Sequence, residues 1–321
     1  MSLPLLSVRV ARKSQEVPDI CAFELVAEHG EALPPFTAGA HIDVHLPGGL
    51  TRPYSLCNNP AETDRYLIGV LRDPASRGGS RAMHDDIVAG ETLQIGAPRN
   101  LFALDAAARR SLLLAGGIGV TPILCMAEAL AAQGADFEFH YCARSRERAA
   151  FLPRLAAAPY ADRVSLHFDD EAAAQRLDIA GLLSQAEGDT HLYVCGPRGF
   201  MDVVLAAARA QGWPQDRLHC EFFAGDVPPV EGDTAFEVEL ASSGRVIQVA
   251  SDVSVVKALM AAGVEVMVSC EQGVCGTCLT RVLAGELDHR DSYLTPEERQ
   301  ANDQFLPCCS RARSQRLVLD L

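Results

Sequence analysis

Residues 269–280 read SCEQGVCGTCLT, in which Cys270, Cys275 and Cys278 stand in a C-x4-C-x2-C pattern. A fourth cysteine, Cys308, comes much later, in FLPCCSRA, with Cys309 beside it. Three thiolates from one loop and one from far along the chain is the ligand spacing of a [2Fe–2S] cluster. A loop supplying three ligands to one small cluster must wrap tightly, and Gly273 and Gly276 permit the backbone angles this needs. They also let N–H groups approach the sulfurs, which tunes reduction potential. A structural zinc site usually pairs two short cysteine hooks, and unliganded thiols remain the other alternative. The remaining cysteines of the 11, Cys21, Cys57, Cys125, Cys142, Cys195, Cys220 and Cys309, are scattered and read as buried small residues.

Outward from this loop, the C-terminal part follows a run rich in Gly, Pro and acid, AGDVPPVEGDT, which reads as a linker. FEVELASSGRVIQVA reads as a hairpin, DVSVVKALMAAG as a helix stopped by Gly263, and RLVLDL as a last strand. Thr295, Pro296 and Glu298 have the spacing of a capping box with proline in the first turn. This part resembles a plant-type ferredoxin domain, a β-grasp fold. The resemblance selects Cys308 over Cys309 as the fourth ligand, because such chains place it just before a Ser-Arg-Ala run.

Residues 106–225 alternate strand with helix. RSLLLAGG, ADFEFHYCAR, RVSLHFDD and DTHLYVCGP read as strands; TPILCMAEALAAQG, RERAAFLPRLAAA and RGFMDVVLAAARAQG read as helices. In the first helix Thr121 is expected to cap, Pro122 to fill the first turn and Gly134 to end it. Repeated β–α units indicate a parallel sheet covered by helices. Gly116, Gly117 and Gly119 lie between strand and helix, where a backbone must come close to a pyrophosphate. Residues 1–105 carry short strands, LLSVRVARK, ICAFELVAE, AHIDVHL, RPYSLCN, YLIGVLR and ETLQIGAP, with turns between, the signature of an antiparallel barrel or sandwich. The expected domains are therefore 1–105, 106–225 and 226–321.

Arg52-Pro53-Tyr54-Ser55 alone is a strand with a proline bend. In context it resembles the R-x-Y-S motif of the ferredoxin–NADP reductase superfamily. The resemblance implies that Arg52 pairs with a flavin phosphate, Tyr54 packs on the ring system and Ser55 lies near flavin N5. A guanidinium fork suits phosphate and an aromatic face suits a planar ring. Ser76-Arg77-Gly78-Gly79-Ser80 precedes a helix and reads either as the other half of the phosphate cradle, through Gly78, Gly79 and Ser80, or as a surface turn. AGGIGVTP, with Thr121 and Pro122, and VCGPRGFM, with Cys195, Gly196 and Pro197, match two further motifs of the superfamily in the right order. They imply a dinucleotide site with Cys195 close to nicotinamide C4, against the plainer reading of Cys195 as packing. In LHCEFFAG, Phe223 aligns with the aromatic residue that stacks on the flavin, although Phe222 and Phe223 also suit a core.

Asp169 and Asp170 in HFDD favour NADH, because a carboxylate accepts from the ribose 2′-OH and repels a 2′-phosphate. Arg144, Ser145 and Arg146 pull the other way. In the order barrel, nucleotide domain, ferredoxin, the chain resembles the phthalate dioxygenase reductase family over nearly its full length. The resemblance implies FMN, NADH, a monomer and a Rieske-type oxygenase partner. Ser55, Cys195 and Phe223 would flank the hydride path, and electrons would leave singly through the cluster. The alternatives are an FAD- and NADPH-dependent reductase of an epoxidase-type oxygenase and a carrier with a vestigial nucleotide site.

The 321 residues contain 28 Lys+Arg against 42 Asp+Glu, a net charge of −14. This argues against nucleic acid, which needs a basic surface, and is otherwise a solubility feature. No run is long enough to span a membrane, and MSLPLLSVRVARK lacks the pattern of a secretory leader, so the cytoplasm is expected. His41 and His45, four apart on a strand-like run, read as ordinary strand residues.

Overall fold

The computed structural model describes residues 5–321 except 75, 77, 173, 174, 187, 224–229, 231, 269–272, 274, 275 and 292, with 48 described by its backbone alone. The chain divides into two compact units, Met1–Glu221 and Phe222–Leu321.

The first unit opens with an antiparallel sheet of β1 (Leu5–Val17), β2 (Ile20–Ala27), β3 (Ala40–Leu46), β4 (Leu50–Ser55) and β5 (Tyr66–Leu71). Helix α1 (Gly79–Asp85) and strands β6 (Thr92–Gly96) and β7 (Arg99–Asn100) complete it. The order is β4-β3-β6-β1-β2-β5, with β7 beside β3. Just past β4, Leu56 bridges Ile68 and the Cys57 N–H donates to Leu67 O at 2.8 Å, which joins the two ends of the order into a barrel. Alternation decides which side each residue takes: Ile42 and Val44 of β3 enter the core, while His41, Asp43 and His45 line the other face.

The same unit continues through β8 (Arg110–Gly116), α2 (Val120–Ala132), β9 (Asp136–Ala143), α3 (Leu152–Ala156) and β10 (Val164–Phe168). Then come α4 (Ile179–Ser184), β11 (Thr190–Cys195), α5 (Arg198–Ala210) and β12 (Leu218–Glu221). All pairings are parallel, in the order β10-β9-β8-β11-β12. The order reverses between β8 and β11, so the loops after these two strands diverge around a crevice, the place where open α/β sheets bind ligands. Strand β8 is buried from Ser111 to Gly116, as a central parallel strand must be.

Two local expectations differ. The helix expected over RERAAFLPRLAAA is a 3-10 turn at Arg146–Arg148 followed by the five-residue α3. Phe151, at φ 63°, breaks the run ahead of Pro153. Thr121 is not the cap of α2. The N-cap is Gly119, and the buried Thr121 hydroxyl donates back to Ile118 O at 3.1 Å. Its methyl faces Gly69 of β5, where a Cβ would stand 2.7 Å from it.

The second unit holds β13 (Phe236–Leu240), β14 (Val246–Val249), α6 (Val255–Ala261), β15 (Thr280–Ala284) and β16 (Leu287–Asp288). It ends with α7 (Pro296–Ala301), β17 (Gln304–Phe305), β18 (Arg311–Ala312) and β19 (Arg316–Leu319). The main sheet runs β14-β13-β19-β15-β17, with β13 and β19 parallel and the rest antiparallel. Val255, Ala258 and Leu259 of α6 pack on it in one core with Val238, Val249 and Leu317. The capping box forms as expected: Thr295 Oγ1 accepts from Glu298 N–H, and Glu298 Oε2 accepts from Thr295 N–H at 2.8 Å. Among the described residues no helix is long and apolar enough to cross a membrane.

Candidate functional site

Strand β4 delivers Arg52, Tyr54 and Ser55. Arg52 lies along the start of α1 so closely that a Cβ on Gly79 would sit 2.6 Å from its Cγ and 2.8 Å from its Nε. Glycine at 79 is thus what lets the arginine lie there. Gly78 turns the chain into α1 with φ 103°. The Ser80 hydroxyl accepts from Asp73 N–H at 3.2 Å and fixes the preceding turn. Burial raises the Tyr54 phenol to about 12, so it is un-ionised.

Ser55 is buried at the end of β4 and donates to Glu221 Oε2 at 3.1 Å. Glu221 ends β12, where its Cα pairs with that of Cys195, the last residue of β11. Three strand ends from two sheets therefore bring a hydroxyl, a carboxyl and a thiol together. Desolvation lifts the Glu221 carboxyl to about 7, and the Ser55 hydrogen bond works against it. Burial, then the nearby Glu221, push the Cys195 thiol well up, so it is neutral. Opposite Ser55, its register partner on β3 is His41. This imidazole is buried, is held at about 4 by desolvation and then by Arg99, and has no hydrogen-bond partner on either nitrogen among the described residues. A buried polar ring without partners is costly, so these atoms suit a polar ligand edge better than the ordinary strand role expected for His41.

The dinucleotide crevice is built by backbone contact. A Cβ on Gly119 would lie 2.2 Å from Cys195 O, and one on Gly196 would lie 2.9 Å from Gly116 Cα. Gly116 is pressed by Pro197, the N-cap of α5, and by Phe200 in its first turn. Gly117, by contrast, has φ 53° and open space where its Cβ would be. That opening, where β8 turns into α2, fits a pyrophosphate. Thr121 and Pro122 are buried in α2 and act in packing. Asp169 and Asp170 are exposed just past β10, with Asp169 N–H donating to Ala143 O at 3.1 Å. Arg146 lies with its guanidinium carbon 4.8 Å from the Phe168 ring centroid, a cation–π contact.

In the second unit, Cys270 and Cys275 lie outside the described residues. Cys278 and Cys308 are buried, and the Cys308 thiol stands within hydrogen-bonding reach of both Cys278 and Cys309. Neighbouring thiols and then burial push Cys308 up as a thiol. Gly273 has φ 75°, and a Cβ there would lie 2.3 Å from Cys309 Sγ and 2.8 Å from Asp291 Cα. Gly276 has φ 72° and faces the Tyr293 ring. Among the described residues, Gly273 and Gly276 thus pack too closely on Cys309, Asp291 and Tyr293 to admit a side chain. Phe222 and Phe223 open this unit and are partly buried.

Comparison with known proteins bears on both units. Residues 238–313 match the family model of the 2Fe-2S iron-sulfur cluster binding domain. Residues 97–218 match the N-terminal domain of dimethylamine monooxygenase subunit DmmA-like proteins. A vanillate O-demethylase oxidoreductase of Pseudomonas putida is 57% identical, over 99% of this chain and 100% of that one. A phthalate 4,5-dioxygenase oxygenase reductase subunit, also of Pseudomonas putida, is 41% identical over 98% and 96%. The solved structure of phthalate dioxygenase reductase, described as modular for electron transfer from pyridine nucleotides to [2Fe-2S], shares 38% identity at a TM-score of 0.78, over 99% and 98% of the chains. The chain belongs to the phthalate dioxygenase reductase family, with a flavin-type barrel, a nucleotide-type parallel sheet and a C-terminal ferredoxin domain.

Proposed function

We propose that this chain is the reductase component of a Rieske-type aromatic oxygenase or O-demethylase, passing electrons from NADH through FMN and a [2Fe–2S] cluster to that oxygenase. The single observation that carries this reading is the meeting of Ser55, Glu221 and Cys195 at the strand ends that face the glycine crevice. Flavin chemistry links a two-electron hydride donor to a one-electron acceptor. The chain's own work is alignment. Arg52 with Gly78, Gly79 and Ser80 would hold the FMN phosphate, and Tyr54 would cover the ring. Ser55 would hold a hydroxyl at N5, its hydrogen free to turn from Glu221. Gly116, Gly117, Gly119, Gly196 and Pro197 would seat the dinucleotide, with Thr121 and Pro122 fixing the helix behind them. Cys195, kept neutral, would stand beside nicotinamide C4, Asp169 would accept from the ribose 2′-OH, and Phe223 would stack on the flavin. Cys270, Cys275, Cys278 and Cys308 would hold the cluster. Residues 1–105, 106–225 and 226–321 serve these three tasks in turn. We further read the protein as a cytoplasmic monomer.

The test is Cys278→Ser. NADH-to-dye activity is expected to persist, while transfer to cytochrome c or the oxygenase falls below a hundredth. Retained transfer to the oxygenase would sink the relay.

A further inference from the structure

Outside the hydride path, the parallel sheet contains an unbroken hydrogen-bond chain across its edge. His140 Nε2 contacts Glu138 Oε1 at 2.9 Å, His140 Nδ1 contacts His167 Nε2 at 2.9 Å, and His167 Nδ1 contacts Gln175 O at 2.9 Å. The two imidazoles meet nitrogen to nitrogen, their centroids 5.2 Å apart. Both ends of this chain are oxygens that only accept: a carboxylate and a backbone carbonyl. Each end nitrogen must therefore carry a hydrogen, and the N···N contact needs one more. Three hydrogens on two imidazoles is one more than two neutral rings hold. The intact chain therefore contains one imidazolium.

Burial lowers His140, against the pull of Glu138, and His167 stands on the edge strand β10. The groups facing the pair are Glu138 and, behind it, Arg110 of β8, which donates to Glu138 Oε2 at 3.0 Å and pairs with Asp136 at 3.8 Å. Cys142 is in the same row of β9, its thiol raised to about 12 by burial and then Asp169. At the strand end stand Asp169 and Arg176, whose guanidinium donates to Asp169 O at 3.2 Å.

We propose that Glu138, His140 and His167 are positioning residues that use one bound proton to fasten Gln175, and through the adjacent Arg176 the backbone of Asp169, at the adenosine end of the dinucleotide site. This rests on the reading of Asp169 as the ribose acceptor. When the proton leaves, one of the three hydrogen bonds must break. The break loosens the contact made by His167, which stands in β10 two residues before Asp169. Dinucleotide affinity then falls as pH rises through the pair's titration.

The experiment uses the full holoprotein and ADP-ribose, which lacks nicotinamide and so bypasses Ser55, Cys195 and Glu221. Its Kd is expected to rise roughly five-fold, about 1 kcal/mol, between pH 6 and 8.5. His167→Gln and His140→Gln are expected to flatten that rise, and Glu138→Gln to move its midpoint to lower pH. Ring 15N shifts in the nucleotide-free protein should show one imidazolium shared by His140 and His167 at pH 6. Two neutral rings at pH 6, or a wild-type Kd that does not change with pH, would overturn the proposal. Asp169→Asn separates it from the reading beneath. If that variant binds ADP-ribose as wild type does, the ribose assignment fails and the proposal with it, whereas a weakened variant beside a flat wild-type profile leaves the assignment standing and overturns the latch alone.

Discussion

The Ser55 hydroxyl hydrogen-bonds a carboxyl that desolvation has made reluctant to ionise. The sign of the resulting linkage is fixed. Because the Glu221 value is raised from 4.5 to about 7, the folded state binds a proton more tightly than the unfolded state. That stabilisation is full below pH 4.5 and is lost as pH rises through 7. Glu221→Gln removes the dependence. Denaturation midpoints of variant and wild type should converge at pH 4.5 and separate by pH 8, the variant gaining on the order of 3 kcal/mol. A constant difference across that range would refute the burial of an ionisable group there. Arg52-Pro53-Tyr54-Ser55 was legible because it is contiguous. Glu221 was not, because it reaches Ser55 from 166 positions away and no local pattern marks it. His41 was seen and read as a plain strand residue. Its lack of partners shows only once its neighbours are placed.

Among the elements, the two glycine loops show how backbone contact shapes a site. Gly119→Ala would drive a Cβ into the Cys195 carbonyl at 2.2 Å, and backbone on both sides must give way. We expect the KM for NADH to rise at least tenfold, about 1.4 kcal/mol, and folding stability to fall with it, whereas Gly117→Ala, whose Cβ meets nothing within 4 Å but whose φ is 53°, should lose only about 1–2 kcal/mol of stability to left-handed strain. Equal losses of stability in denaturant melts would contradict the account. The strands were readable because apolar runs and turn residues alternate cleanly. The expected helix over residues 146–158 was not, since Phe151 at φ 63° is a tertiary choice: its ring packs against Gly69 of β5. Thr121 misled for a related reason. Its hydroxyl could cap a helix, but its methyl is wanted against that same glycine.

Over the molecule as a whole, the second unit is held by charges that no motif announced. Arg311, almost fully buried, donates to Val253 O, Ala250 O and Thr234 O at 2.8, 2.9 and 3.2 Å and lies 3.8 Å from Asp233. Arg290 grips the same Asp233 and lowers its carboxyl to about 2. Arg311→Leu should destabilise the second unit by about 3 kcal/mol, read as earlier loss of its visible chromophore in urea. A change under about 0.5 kcal/mol would show the network to be incidental. The three-part architecture was largely legible, because cysteine spacing, glycine loops and strand–helix alternation are each local. The relay from NADH through FMN to the cluster is best judged by one measurement on the purified protein: flavin mass and iron count from a single sample. The account predicts FMN and two irons per chain, as a [2Fe–2S] centre requires. Absence of iron after anaerobic purification and reconstitution would contradict it.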